Sequence, residues 1–335
     1  MLILGDSLKK LKKLKPNSID SCVTDPPYGL KFMNKHWDYD VPSVELWREV
    51  YRVMKPGAHL LSFGGTRTYH RMVCNIEDAG FEIRDQIQWI YGSGFPKSHN
   101  IGKTVKEFEG FGTALKPAHE PIVLARKPIS EKTVAKNVLK WGTGGLNINE
   151  SRIEGVVPKT IQGQSSKQGE IYGKDQRKLK EFIPSPQGRF PANVCFDEAA
   201  AGVLDGQSGA SNSRPDSRSE RRKDGNTYGR NLTRTPNKLS DSGGASRFFY
   251  VAKASKRERG EENNHPTVKP IKLMRYLITM VTPPNGIMLD PFMGSGSTGL
   301  ACKNLNRKFI GIEIEPKYFE IAKRRIKYDM QTYST

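Results

Sequence analysis

The sequence predicts an α/β fold: a mostly parallel sheet assembled from both ends of the chain, with a basic region inserted between them. Three observations carry this. Residues 1 to about 129 alternate strand-like and helix-like apolar runs, residues 261–335 resume the alternation, and across 130–260 the periodicity fades while positive charge accumulates. Strands and helices that alternate along a chain form parallel sheets, because each crossover returns the chain to the same edge.

ILGD (3–6) reads as a first strand, and SLKKLKKLK (7–15) as a helix with Asp6 or Ser7 at its N-cap. Leucines 8, 11 and 14 give that helix an apolar face, which suits the cover of a sheet better than a membrane surface. SIDSCVTD (18–25) is the next strand, SVELWREVYRVMK (43–55) a helix, AHLLSFGG (58–65) a strand and YHRMVCNIEDAG (69–80) a helix. EIRDQIQWIY (82–91) and EPIVLAR (120–126) are two further strands. Beyond 261 come the helix IKLMRYLITMV (271–281), a turn at TPPNG, the strand IMLD (287–290) and a glycine turn. The helix STGLACKNL (297–305), the strand KFIGIEI (308–314) and a last helix KYFEIAKRRIKYDM (317–330) complete the chain. No internal repeat is present.

A length of 335 residues accommodates one large α/β domain with an insertion, or two modest domains. The net charge of +19 calls for a polyanionic partner, because each phosphate neutralised releases condensed counterions. Residues 151–260 hold 21 Lys/Arg against 12 Asp/Glu, about half of that excess. Within them, a disordered linker is the alternative reading for 206–245, whereas Phe182, Phe190, Val194, Phe196, Phe248, Phe249 and Tyr250 are apolar anchors for an ordered remainder. No apolar run approaches the roughly 20 residues of a membrane span, and no signal-peptide segment opens the chain, so a cytoplasmic protein is expected. Cys22, Cys74, Cys195 and Cys302 show neither a CxxC pair nor metal-ligand spacing. Neither a disulfide framework nor a metal site is expected, and each cysteine is read as a small buried apolar side chain. None follows a proline, which removes the Pro-Cys nucleophile of cytosine-C5 chemistry and the PCxxC of zinc deaminases.

Asp290-Pro291-Phe292-Met293-Gly294-Ser295-Gly296 follows a strand and opens a helix; Gly294, Gly296 and Gly299 fit GxGxxG. Such a turn brings backbone close to a ligand, and Glu313, at the end of the next strand, is a carboxylate placed for ribose hydroxyls. A nicotinamide-dinucleotide enzyme shows the same pattern. Only about 36 residues follow Gly299, too few for the other strands of a dinucleotide domain. The rest of the sheet is therefore expected from the N-terminal part, as a circularly permuted fold that binds one nucleoside. No Lys-Ser/Thr follows the glycines, which excludes a phosphate loop.

Thr24-Asp25-Pro26-Pro27-Tyr28-Gly29 follows the apolar run IDSCV, at the carboxyl end of a strand, where open α/β sheets keep their sites. An amino group conjugated to a base ring is a poor nucleophile because its lone pair is delocalised. A site gains rate by accepting hydrogen bonds from that NH2 as the nitrogen turns tetrahedral. Asp25 supplies a carboxylate acceptor, Pro26 and Pro27 stiffen the loop so that the Pro26 carbonyl becomes a second one, and Tyr28 offers a face to an extruded base.

TDPPYG with DPFMGSGST resembles the amino-group DNA methyltransferases, and the order of the two motifs around a variable basic region is similar to their beta class, over nearly the whole chain. The resemblance implies a Rossmann-like S-adenosylmethionine-dependent methyltransferase fold, S-adenosylmethionine as cofactor and double-stranded DNA as partner. It implies a catalytic half at 1–129, a target-recognition region at 130–260 and a cofactor half at 261–335. It further implies that Asp6 sits by the cofactor adenine and that Phe292 packs beside the cofactor, with Pro291 and Ser295 in the same turn. Thr267 and Lys269, in HPTVKP (265–270), then lie near the methionine moiety, and Asp25 belongs to both the catalytic and the cofactor sets. GSGFPKSHN, RFPANV and SRFFYVAKAS are similar to segments of phage-borne members. DPPY accompanies adenine enzymes more often, and SPPY the N4-cytosine ones, so adenine N6 is the favoured target and cytosine N4 the alternative. The recognition sequence does not transfer, and the oligomeric state is left open, a homodimer included.

Three rivals remain. A nicotinamide-dependent oxidoreductase would need a catalytic His or Lys network, which the scattered histidines do not supply. A DNA-binding protein without activity would not need Asp25 and Asp290. Glutamine-modifying NPPY methyltransferases carry their tetrapeptide after the glycine motif, whereas here it lies about 265 residues before it.

Overall fold

The structure, a computed structural model of the chain, describes residues 1–30, 39–96, 98–155, 187–212, 241–252 and 268–328. Among the described residues, nine strands form one sheet. Their spatial order is β1 (Leu2–Leu4), β11 (Lys308–Glu313), β10 (Ile287–Asp290), β2 (Ile19–Thr24), β3 (Met54–Phe63), β5 (His119–Arg126), β4 (Glu82–Ile90), β6 (Val194–Asp197) and β9 (Tyr250–Ala252). Neighbours are parallel except at β5, which runs antiparallel to both β3 and β4. A separate two-stranded ladder joins β7 (Ser211–Asn212) to β8 (Ser242–Gly243).

The two ends of the chain share this sheet, as the sequence led us to expect. β1 pairs with β11, and β2 lies against β10 with Ser21 opposite Met288 and Cys22 opposite Leu289. Period-two alternation sorts the side chains into two layers. Val23 and Leu61 face α6 (Ile271–Val281) and α7 (Ser297–Asn304), while Cys22 and Leu60 face α1 (Ser7–Leu11), α2 (Val44–Val53) and α3 (Tyr69–Asp78). All six residues of β2 are buried, which fits a strand with neighbours on both sides and helices on both faces.

Several elements depart from the sequence reading. α1 stops at Leu11 rather than near 15, because Pro16 biases Lys15 away from helix and Asn17 turns the chain at φ 51°. α2 ends at Val53 and β3 begins at Met54, ahead of the expected strand. α4 (Val134–Trp141) and α5 (Glu198–Ser208) were not anticipated. Thr133 caps α4 by accepting from Lys136 N, and Gly142 closes it at φ 75°. The helix buries a polar residue, Asn137, so it shows no buried apolar stripe. β6 and β9, from within 130–260, extend the main sheet, and Tyr250 stacks on Tyr276 of α6 at 3.8 Å. Of the apolar anchors, Phe196 is buried, Phe190 and Phe248 are exposed, and Phe182 lies outside the described residues. Among the cysteines, Cys22, Cys195 and Cys302 are buried, but Cys74 is exposed on α3, a correction to the uniform expectation. Among the described residues no helix is long and apolar enough to cross a membrane.

Asn137 joins α4 to the sheet. Its Oδ1 accepts from Ser130 N at 3.0 Å, and its Nδ2 donates to the carbonyls of Pro56 (2.9 Å) and Thr143 (2.8 Å). Asn137→Ala leaves the Ser130 and Thr143 groups without these partners and is expected to lower the unfolding free energy by about 2–3 kcal/mol. Exposed Lys136→Ala should stay within about 0.5 kcal/mol. Urea unfolding of the two variants checks this, and equal effects would remove Asn137 from the role.

Candidate active site

The site lies at the carboxyl ends of β2, β10 and β11. Thr24, the last residue of β2, donates its hydroxyl to Asp290 Oδ1 at 2.6 Å and so joins the two motif strands where they end. Asp290 is 1% exposed and accepts from Phe292 N–H as well, at 3.0 Å. Burial pushes its carboxyl up to about 6; hydrogen bonds from Thr24, Thr298 and Phe292 oppose that rise, and the charge of Asp25 adds to it.

The glycine turn follows. Gly294 and Gly296 have φ of 53° and 84°, a region that L side chains rarely enter. Gly294 N donates to Glu313 Oε2 at 2.8 Å, and Glu315 N donates to Glu313 Oε1 at 2.7 Å. The turn is thereby fixed to the end of β11. Burial raises the Glu313 carboxyl above its usual range, against those two backbone bonds. A Cβ at Gly296 would meet Ala322 of α8 (Pro316–Tyr328) at 2.9 Å, so helix packing demands glycine there. Ser295 is buried, and its carbonyl accepts from Arg325 at 2.6 Å. Asp6 caps α1 by accepting from Lys9 N at 2.9 Å, while Gly5 N bonds to Glu313 O at 2.8 Å and holds the end of β1 beside that of β11.

Four polar side chains converge at the end of β2. Lys269, two residues before α6, approaches Asp25 Oδ2 at 2.7 Å and Glu120 Oε2 at 3.0 Å, with its ammonium 4.9 Å from the Phe63 ring centroid. The Tyr28 hydroxyl donates to Asp25 Oδ1 at 2.7 Å and contacts Glu120 Oε2 at 3.1 Å; Lys269 Nζ donates to Tyr28 Oη at 3.3 Å. Burial works against the charge on Lys269, yet Asp25 and Glu120 hold its pKa above the usual lysine value. Burial, Asp25 and Glu120 all raise the Tyr28 phenol, which therefore stays protonated and donates. The loop is pinned from behind. Thr68 donates to the Tyr28 carbonyl at 2.6 Å, and Gly65 lies so near the Tyr28 ring that a Cβ there would meet it at 3.1 Å.

One cavity of about 300 Å³ takes in both motifs. Its walls include Asp6, Asp25, Pro26, Pro27, Tyr28 and Lys269 together with Asp290, Pro291, Phe292, Gly294, Ser295 and Glu313. Gly296 is absent from that lining and acts through the turn; Thr267 and His265 lie outside the described residues. Sequence reasoning missed Glu120, which also lines the cavity. It is the second residue of the antiparallel strand, whose amino end meets the carboxyl ends of the parallel ones. An acidic residue at the start of an apolar strand was the available signal.

The DNA methylase family matches residues 19–324, from β2 into α8, and so embraces both motifs and every element between them. The chain belongs to this family. The Type II methyltransferase M.BglII of Bacillus subtilis is 47% identical to this DNA methylase, over 95% of the chain and 66% of the relative. The Type II methyltransferases M.HpaI of Haemophilus parainfluenzae and M.HindIII of Haemophilus influenzae are each 25% identical, over 100% and 96% of the chain and 76% and 93% of their own lengths. Among solved structures, the cytosine-N4-specific PvuII DNA methyltransferase is similar at a TM-score of 0.50 and 15% identity, over 97% of this chain and 85% of that one, which shows a shared fold.

Gly296→Val adds a branched side chain at positive φ against α8 and is expected to lower the unfolding free energy by about 3 kcal/mol. Binding of the methyl donor should weaken in parallel. Thermal melting with calorimetry reads both; a wild-type melting temperature would mean that α8 packing does not require the glycine.

Proposed function

We propose that this DNA methylase transfers a methyl group from S-adenosylmethionine to the exocyclic amine of a base extruded from double-stranded DNA, with adenine N6 as the target. The observation that carries the reading is the single cavity in which the Asp25 carboxylate and the glycine turn meet. The chain's own residues fit the donor. Asp6 and Glu313 are carboxylates suited to ribose and adenine donors, and Phe292, Ile312 and Leu46 give the same cavity an apolar wall for a ring. When bound, S-adenosylmethionine supplies a methyl group whose C–S bond breaks with its electron pair passing to sulfur, as the amine lone pair forms the new N–C bond.

Asp25 accepts a hydrogen bond from the amine and draws its nitrogen toward tetrahedral geometry, while the Pro26 carbonyl accepts the second N–H. The nitrogen becomes cationic and releases its surplus proton to water by way of Asp25. The Tyr28 hydroxyl is engaged by Asp25 and Glu120, and the ring of Tyr28 is the part proposed to contact the base. Residues 130–260 supply the positive charge for phosphate contacts and the choice of site. Adenine is preferred over cytosine on Asp25 alone, since both bases present the same NH2 geometry.

Mass spectrometry of nucleosides from DNA methylated by the wild-type enzyme tests the target. N6-methyladenine is expected as the main product; N4-methylcytosine would overturn the choice of base, and no methylated base the reading itself. Asp25→Asn, which keeps the shape but weakens the acceptor, should lower kcat by about 10²–10³ and leave donor affinity within a few fold. A matching loss of donor affinity would take Asp25 out of the transfer step.

A further inference from the structure

We infer that Glu120 is a positioning residue: it is the counter-ion that takes up the charge of Lys269, so that the cluster presents one net negative charge to the cationic methyl donor and to the amine that becomes cationic. The inference rests on the reaction proposed above. Three charged groups share one end of the cavity, two carboxylates and one ammonium, with Lys269 2.7 Å from Asp25 and 3.0 Å from Glu120. Their side chains are only 18% (Asp25), 23% (Glu120) and 10% (Lys269) exposed, so water screens them weakly. Lys269 and Asp25 alone would form a neutral ion pair. A carboxylate neutralised in this way is a poor acceptor for an amine that gains positive charge, and it offers nothing to a sulfonium.

Glu120 changes that balance. Its Oε2 faces both Lys269 and the Tyr28 hydroxyl, so the ammonium and the phenol are shared between two carboxylates. The three N–H donors of Lys269 reach Asp25, Glu120 and Tyr28 Oη, which occupies every donor an ammonium has. The fold does not need this carboxylate for strand pairing. The position of Glu120 in β5 is set by backbone pairing, opposite Trp89 of β4, and the β5 residues that follow pair with β3 as well.

The test compares S-adenosylmethionine with S-adenosylhomocysteine, which differ by the methyl group and by the positive charge on sulfur. Calorimetry of the DNA-free enzyme gives the ratio of the two affinities. Glu120→Gln keeps the shape and its hydrogen-bond acceptor but removes the charge; it should lower the preference for the cationic donor by about 5- to 20-fold and reduce kcat as well. Glu120→Asp should retain most of the preference. The double variant Glu120→Gln/Lys269→Gln restores a net charge of one negative and should recover the wild-type ratio to within about three-fold. An unchanged ratio in Glu120→Gln, or a double variant with no better ratio than Glu120→Gln, would overturn the inference. The proposed reaction fails separately, on the nucleosides that the wild-type enzyme produces.

Discussion

The hydrogen bond from the Thr24 hydroxyl to Asp290, 2.6 Å long and spanning 266 residues, sets where the two sequence motifs meet. Parallel strands present their carboxyl ends on one side of a sheet, and the loops that leave those ends are the ones free to build a site. Here the loops come from opposite ends of the chain. Pairing of β2 with β10 makes them neighbours, and the buried Thr24–Asp290 contact fixes their relative height. Asp290 then accepts from Phe292 N–H and so shapes the start of the glycine turn, while Glu313 at the end of β11 binds the middle of that turn. Asp25 stands one residue beyond Thr24. A single strand pairing therefore places Asp25 of one motif beside the glycine turn of the other.

Burying that many charged groups has a cost that stability alone does not explain. Replacing a buried ion cluster by packed apolar side chains is often neutral or stabilising. Asp25, Glu120 and Lys269 could give way to apolar residues without loss of any strand pairing, since β2 and β5 are held by their backbones. Lys269 also lies against the Phe63 ring, an apolar surface that an uncharged side chain would cover as well. In the proposed reaction these polar groups supply charge in a weakly screened place.

Much of this was legible in the chain. Both motifs are contiguous, so the identity and spacing of Asp25 to Tyr28 and of Asp290 to Gly296 carry their chemistry directly, and the strands that precede them are strongly apolar. What the sequence concealed depends on contacts between distant residues. Glu120 becomes part of the site only because β5 runs antiparallel and delivers its amino end to the edge where its neighbours finish. α4 went unseen because the residue it buries is Asn137, whose worth lies in hydrogen bonds to Ser130, Pro56 and Thr143 rather than in apolar area. β6 and β9 are only four and three residues long and lie in a polar context, too short for alternation to register. The Leu-Lys run misled in the opposite direction: its periodicity continues to Leu14, but Pro16 and Asn17 end the helix early.

Those two short strands also bear on how the basic region can work. β6 pairs with β4, and Asp197 at its end both caps α5, accepting from Ala200 N at 2.7 Å, and accepts from Gly92 N at 3.1 Å. Gly92 follows β4, whose Trp89 stands opposite Glu120 in the next strand. Backbone and capping bonds thus lead from the 130–260 segment to the strand that bears Glu120 without crossing a flexible linker. In the proposed reaction the 130–260 region chooses the DNA sequence, and such a region must hold the duplex so that one base reaches the acceptors with an error well below the length of a base step. Attachment through strand pairing supplies that stiffness, because displacing β6 relative to β4 would break a ladder of backbone hydrogen bonds. In the proposed reaction, then, the sheet that assembles the site from the two ends of the chain is also the frame that relates the chosen sequence to the reacting amine.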